Sequence, residues 1–270
     1  MKRKSTMTFL LLLFLSLSSA FVVLPQKRTF CTVSSFAVFS TNTNEDKTTS
    51  PNESSYQWLS MDPDEMTVGE KYGLCISTVV PRPVAVITSI SNETGQVNCA
   101  PFSFTSLSTH DPPIVTHGIC TKNGGTVKKD TLLNIEETGE WVYNVLTTEY
   151  LEKANACAAS LDVDETKEVG LETMTSKIVK PPRLLQAAVS LECKLIDKKE
   201  IFNDEGIHTT TIVFGRVVQF HVRNDVTFSE DSTKVDLQKL QAVGRAGGSI
   251  YWPVGIEDDL NNMLIIPRPS

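Results

Sequence analysis

The clearest periodicity in the chain lies between Thr209 and Val222, where Val218, Phe220 and Val222 alternate with Gln219, His221 and Arg223. A period of two marks a strand with one buried face. Ala187 to Lys198 reads as a second long strand. Shorter apolar runs predict strands over 74–80, 83–91, 97–107, 113–120 and 141–146, with turns at Asn92-Glu93-Thr94-Gly95 and Asn123-Gly124-Gly125. Helical signals are fewer. Residues 61–71 read as a short lead-in helix. Asp130 reads as an N-cap, followed by an apolar stripe of Leu132, Leu133 and Ile135 and a closing Gly139. Residues 149–160 form an alanine-rich helix, and the acidic stretch 163–176 a loop carrying a helical turn. Many strands with few helices predict a mainly β protein, a closed barrel with a few peripheral helices rather than βαβ units. The 270 residues allow a single barrel-type domain.

Charge narrows the partners. The chain carries 25 basic and 32 acidic residues. Five of the basic ones (Lys2, Arg3, Lys4, Lys27 and Arg28) precede the first acid, Glu45, so residues 45–270 hold 20 against 32, a net of −12. A body this acidic argues against nucleic acid or an anionic membrane surface as partner. Five cysteines lie beyond Cys31 without CxxC or metal-ligand spacing, and Cys99, Cys120 and Cys193 sit in apolar runs, so reduced buried thiols are expected.

Candidate chemistry concentrates between Arg82 and Thr131. Ser103, Thr105, Ser106 and Ser108 crowd beside Phe102 and Phe104, a mixture suited to a flat ligand with an apolar ring and an anionic tail. Arg82 stands between Pro81 and Pro83, which fix φ and remove two ladder donors. Its guanidinium could hold a phosphate bidentately, or be an edge-strand arginine in water. Lys128 and Lys129 precede the helix that starts at Asp130 and Thr131. Free N–H groups, the helix dipole and the lysines together suit a phosphate monoester, the alternative being an ordinary capped surface helix. The four histidines share no metal spacing, no Ser-His-Asp or Cys-His arrangement is legible, and Glu136-Glu137 and Asp258-Asp259 read as solvated surface. No catalytic side chain and no metal site is therefore expected.

These segments resemble the flavin reductase-like family, the FMN-binding split barrels. The likeness runs from about Tyr72 to Tyr251, roughly two-thirds of the chain. It rests on Pro81–Ser106, Lys129–Ile135 with Glu137-Thr138-Gly139, Val179–Arg183, Leu191–Cys193, Phe214–Val218 and Val243–Gly248, in that order. The resemblance implies an FMN-binding split β-barrel over 58–260 with a tail at 261–270, forming a homodimer with flavin at the subunit interface. It implies cofactor contacts from Arg82, Thr88, Asn98, Ala100, Pro101, Phe102, Ser103, Thr105, Ser106, Lys129, Asp130 and Thr131. Backbone N–H groups of Ala100, Phe102 and Ser103 would reach the flavin ring, and the Lys129 segment its phosphate. NADH or NADPH is the implied hydride donor, with no choice between them and no electron acceptor named. Two alternatives are a flavoredoxin-like electron carrier with tightly held FMN, and a non-catalytic barrel that binds ligand or protein. No GxGxxG fingerprint is present, and split barrels have no Rossmann domain to need one.

The N-terminus has its own logic. Lys2, Arg3 and Lys4 precede an apolar run from Phe9 to Leu17 and the small residues Ser18-Ser19-Ala20, the three parts of a cleavable signal over 1–20. Residues 21–57 lack hydrophobic periodicity, and up to Asn44 they are acid-free and rich in Ser and Thr. That order resembles the bipartite plastid presequence of algae with secondary plastids, the alternative being a secreted protein with a polar tail. Residues 1–44 fused to a fluorescent reporter in such an alga should deliver it to the plastid, and Phe21→Ala should divert it. Export of the intact fusion into the medium would refute the plastid assignment.

Overall fold

The computed structural model describes residues 58–159 and 164–254, nearly all of which belong to a unit spanning Leu59–Ser270. The expected signal, transit segment and C-terminal tail lie outside the described residues. Twelve strands run in chain order: β1 (Arg82–Pro83), β2 (Ala85–Ile90), β3 (Val97–Phe102), β4 (Thr105–His110), β5 (Pro113–Cys120), β6 (Glu140–Val145), β7 (Thr173–Met174), β8 (Arg183–Leu184), β9 (Val189–Phe202), β10 (His208–Val222), β11 (Val243–Arg245) and β12 (Tyr251–Pro253). The helices are α1 (Val68–Thr78), α2 (Asp130–Thr138), α3 (Leu151–Ala156), α4 (Glu165–Glu168) and α5 (Leu237–Leu240).

Seven strands make one antiparallel sheet in the order β3-β2-β6-β9-β10-β5-β4. Its two edge strands are consecutive in sequence. Among the described residues no ladder joins β3 to β4, and the seam between them is crossed at Ser103-Phe104, where Phe104 O accepts from Gly118 N at 2.7 Å. The sheet is thus a barrel split along one seam, the fold class expected. A separate three-stranded sheet, β1-β11-β12, ties the segment before β2 to the chain after β10.

The run at 84–87 is apolar throughout because β2 is buried on both faces. Ala85 and Ile87 enter the barrel core with Phe102, Ile119, Leu132, Ile135, Trp141, Val213 and Val217. Val84 and Val86 face the other way, into a second core with Cys99, Tyr150, Ala154, Cys157 and Val243. All five described cysteines are free, as the spacing predicts.

Several expectations are corrected. Residues 74–80 are no strand, since α1 continues to Thr78. Its start is set by a capping box in which Thr67 Oγ accepts from Glu70 N at 3.3 Å and Glu70 Oε2 from Thr67 N at 2.8 Å. The expected single strand 97–107 is two strands, broken at the seam. Lys129, not Asp130, is the N-cap of α2, without a side-chain cap. Gly139 ends that helix with φ 68°, the left-handed conformation glycine adopts without cost.

One polar chain runs through the barrel core. Trp141 Nε1 donates to His117 Nε2 at 3.2 Å. An indole N–H only donates, so His117 carries its proton on Nδ1, which reaches Thr105 Oγ at 2.8 Å. The Trp141 ring occupies the space a Cβ would need at Gly215 on β10, which makes glycine obligatory there. Burial lowers the His117 pKa to about 3. The unfolded chain therefore takes up a proton below about pH 6.5 that the folded chain refuses until pH 3. Stability should fall as pH drops through that window, by up to roughly 5 kcal/mol from this group. Replacing His117 with Gln, which can keep one donor and one acceptor, should flatten the slope between pH 6 and 4 in urea denaturation; an unchanged slope would mean that other groups carry it.

Candidate functional site

The geometry of the site begins with Arg82, 8% exposed. Its Nη1 donates to Ile76 O at 2.6 Å and Val79 O at 2.8 Å, and its Nη2 to Ala246 O at 3.1 Å. The guanidinium thus closes the C-terminal end of α1, where carbonyls lack intrahelical partners and the dipole favours a cation. It also binds that end to the turn after β11. Pairing of Arg82 with Arg245 and Pro83 with Gly244 sets β11 beside it. Its Nε is buried without a partner among the described residues.

Between α1, the seam and β11–β12 lies a cavity of about 340 Å³. Ile76, Val84, Pro101, Phe102 and Phe104 form its apolar wall. Among the described residues, Arg82, Lys129 and Arg245 are its charged lining, and no aspartate, glutamate or histidine lines it. For a chain this acidic, three cations without one acid is a distinctive lining. Ser103, Cys120, Asn155, Tyr72 and Tyr251 complete the polar wall. The Lys129 ammonium lies 5.4 Å from the centre of the Phe102 ring, and no described carboxylate is ion-paired to Lys129 or Arg245. Gly118, opposite the seam, leaves room that a Cβ would take, 3.4 Å from Phe104 Cβ.

Of the residues expected from sequence, the structure brings Arg82, Pro101, Phe102, Ser103 and Lys129 to this cavity. It does not bring the others. Thr88 is fully buried, donating to Pro182 O at 2.5 Å and accepting from Asn144 Nδ2 at 3.3 Å. Thr105 is held by His117, and Ser106 Oγ turns back on Leu107 O at 3.3 Å. Ala100 packs its side chain against the barrel core. Cys99 N leaves the sheet to meet Glu165 Oε2 at 3.0 Å, so strand alternation turns the N–H groups of Ala100 and Phe102 toward β2. Neither is a free donor, and Pro101 has no N–H. Ser103 alone remains of the expected backbone donors. Arg82 also departs from expectation, since its two terminal nitrogens serve backbone carbonyls.

Asn98, Asp130 and Thr131 belong elsewhere. Asn98 Nδ2 donates to Thr131 Oγ1 at 2.8 Å, and Asp130 pairs with Lys122 at 3.2 Å. Asn98 and Asp130 line a second hollow with Glu93, Glu137 and Glu165. Burial, with Asp130 and Asp164 adding repulsion, pushes the Glu165 carboxyl above its ordinary range despite the Cys99 N–H. Four acids, and no cation among the described residues that line it, set that hollow against a phosphate. The residues missed from sequence are Arg245, Tyr251, Asn155 and Tyr72. The Arg245-Ala246-Gly247-Gly248 run was the available signal for the first.

The lining has the chemistry a flavin nucleotide would need. Aromatic and apolar surface suits the ring, unpaired cations suit the phosphate, and the volume lies within the roughly 300–1,000 Å³ of ligand pockets.

Comparisons with known proteins give the family. A family model described as "Flavin reductase like domain" matches residues 77–234. The uncharacterized protein YwrF of Bacillus subtilis (strain 168) is 35% identical over 196 residues, 72% of this chain and 94% of its own. Nitrilotriacetate monooxygenase component B from Bacillus cereus is structurally similar, with a TM-score of 0.70 and 29% identity over 75% of this chain and 98% of its own. The 2-nitrobenzoate 2-nitroreductase NbaA of Pseudomonas fluorescens gives a TM-score of 0.66 at 29% identity, over 78% and 99%.

Arg82→Met should keep the methylene packing but leave three carbonyls without their donor. Hydrogen bonds to a charged group contribute about 1.5–3 kcal/mol each, and water can replace part of them, so unfolding free energy should fall by roughly 2–4 kcal/mol. Chemical denaturation measures it, and a loss below about 0.5 kcal/mol, the range of an ordinary surface change, would remove Arg82 from this role.

Proposed function

Because this chain belongs to the flavin reductase-like family, we propose that its cation-lined cavity holds FMN and that the protein is a flavin oxidoreductase using NADH or NADPH as hydride donor. The observation that carries this reading is the pairing of an aromatic wall with three cations, and no carboxylate among the described residues, in a body of net charge −12. Lys129 and Arg245 would hold the phosphate end, Phe102, Phe104 and Pro101 would cover the ring, and Ser103 would donate at its edge. When bound, the flavin supplies hydride acceptance and onward electron transfer. The chain supplies placement, charge and exclusion of water.

The same reading includes a homodimer. In support, α1 buries Ile76 alone and leaves Val68 79%, Tyr72 58% and Leu74 41% exposed, while Leu107 on β4 is 66% exposed. Apolar surface of this extent suits a second subunit. Plastid delivery through residues 1–44 is part of the proposal on composition alone. Among the described residues no helix is long and apolar enough to cross a membrane.

The test is spectroscopic. Purified protein should retain or take up FMN with its visible absorbance, and one of the two nicotinamides should bleach it anaerobically. Protein that neither retains flavin nor quenches the fluorescence of added FMN would refute the assignment. Bound flavin untouched by both nicotinamides would replace the reductase with the electron-carrier alternative.

A further inference from the structure

The turn between β2 and β3 carries Asn92-Glu93-Thr94, an Asn-X-Thr acceptor sequence for N-linked glycan without proline at its centre. Such triplets also arise by chance, and asparagine is an ordinary turn residue. Turns use asparagine for two reasons: it tolerates a left-handed backbone, and its side chain can bond a backbone group two residues on. Asn92 serves neither purpose. Among the described residues other than glycine, only Asn123 and Gln241 have positive φ. The left-handed position of this turn belongs to Gly95, at φ 70°. Its side-chain bonds belong to the neighbours. Thr94 N donates to Ser91 Oγ at 3.2 Å, and Gln96 N donates to Thr94 Oγ1 at 3.2 Å. Backbone bonds from Gly95 N to Ser91 O at 2.9 Å and from Ser91 N to Gln96 O at 3.0 Å close the loop. The turn is thus built without the Asn92 amide, which is left over.

Its placement suits a large attached group. Asn92 and Thr94 are both exposed, and Asn92 stays outside the acidic hollow that Ser91, Glu93 and Thr94 line. The hairpin register puts the turn at the opposite end from the cavity. Ala85 pairs with Phe102 beside the cavity wall, and Ile90 pairs with Val97 at the turn. At roughly 3.3 Å per residue, β2 holds the two ends about 17 Å apart. A bulky, hydrated group on Asn92 would leave the cavity and both cores untouched.

We propose that Asn92 is an acceptor site for N-linked glycan. The proposal rests on the reading of residues 1–20 as a signal that passes the chain into the secretory compartment, a step shared by the plastid and secreted routes. The donor is an oligosaccharide carried on a lipid diphosphate. Asn92 Nδ2 forms a bond to the first sugar carbon as the bond from that carbon to the diphosphate oxygen breaks. The diphosphate leaves with the electron pair, and the amide gives up one proton. Thr94 supplies the hydroxyl that the acceptor sequence requires.

The test expresses the full chain in a eukaryotic host cell and counts glycans by peptide-N-glycosidase digestion and gel mobility. Asn52→Gln removes the chain's other such triplet, Asn52-Glu53-Ser54, which lies outside the described residues. A reference acceptor, Asn-Gly-Thr in a polar tail appended after Ser270, reports passage into the compartment. This protein should carry two glycans, one on the reference and one on Asn92. Asn92→Gln and Thr94→Ala should each remove one, and Thr94→Ser, which keeps the hydroxyl, should retain it. The urea midpoint of Asn92→Gln should match that of the unmutated chain, because the turn does not use that side chain. A glycan on the reference alone would overturn the proposal while passage into the compartment stands. Two glycans on the Asn92→Gln protein would overturn it equally. No glycan at either place would show that the signal reading itself fails, and the proposal with it.

Discussion

One buried guanidinium holds together the parts of this protein that the barrel does not. Ile76 O and Val79 O come from the end of α1, and Ala246 O from the turn after β11, a hundred and sixty-four residues away in sequence from Arg82. None of these carbonyls has a strand or helix partner to fall back on, and a buried carbonyl without a donor is costly. The barrel can be built without Arg82, because its ladders and its apolar core are continuous. The roof over the cavity cannot. Helix α1 buries one side chain, and β11 is three residues long, so neither brings enough apolar area to stay in place by packing alone.

Glu192 performs a similar service on the far side of the sheet, and it explains two of the sequence blocks at once. It is fully buried on β9 and accepts from Lys177 N and Ile178 N at 2.6 Å, Val179 N at 3.0 Å and His221 Nε2 at 2.5 Å. Burial works against the carboxylate, but these donors together hold its pKa below the ordinary value. The Leu191–Cys193 and Val179–Arg183 blocks are therefore the two halves of one interaction, which fastens the 175–184 loop to the barrel and has no part in the cavity. Thr88 belongs to the same fastening through Pro182.

How much was legible follows from the range of the signal. The long strands and α2 announced themselves through local periodicity and a closing glycine. Helix α1 did not, because residues 74–80 look like a strand; the Thr67-Val68-Gly69-Glu70 capping box was the local sign that outweighed them. At the site, hydroxyl density between Ser103 and Ser108 suggested a ligand, yet these groups are largely spent inside the fold, on His117 for Thr105 and on Thr116 for Ser108. Sequence identifies a polar group but not whether a distant partner has already claimed it. The converse error hid Arg245 and Tyr251. Arg245 stands in a Gly-rich run that carried the resemblance, but α1, β3 and α3, which the tertiary fold sets beside it and Tyr251, give no local sign in the sequence.

The contrast between a cavity whose described lining is cationic and an acid-rich chain bears also on arrival. A phosphorylated ligand approaching from afar meets the repulsion of the whole body, and feels the attraction of Lys129 and Arg245 only within about a Debye length, roughly 8 Å at physiological ionic strength. Added salt screens the distant repulsion more than the half-buried attraction. For an anionic ligand of this cavity, ionic strength would quicken capture even while it loosened the ligand once held, the reverse of the salt response of a protein that steers its substrate by net charge.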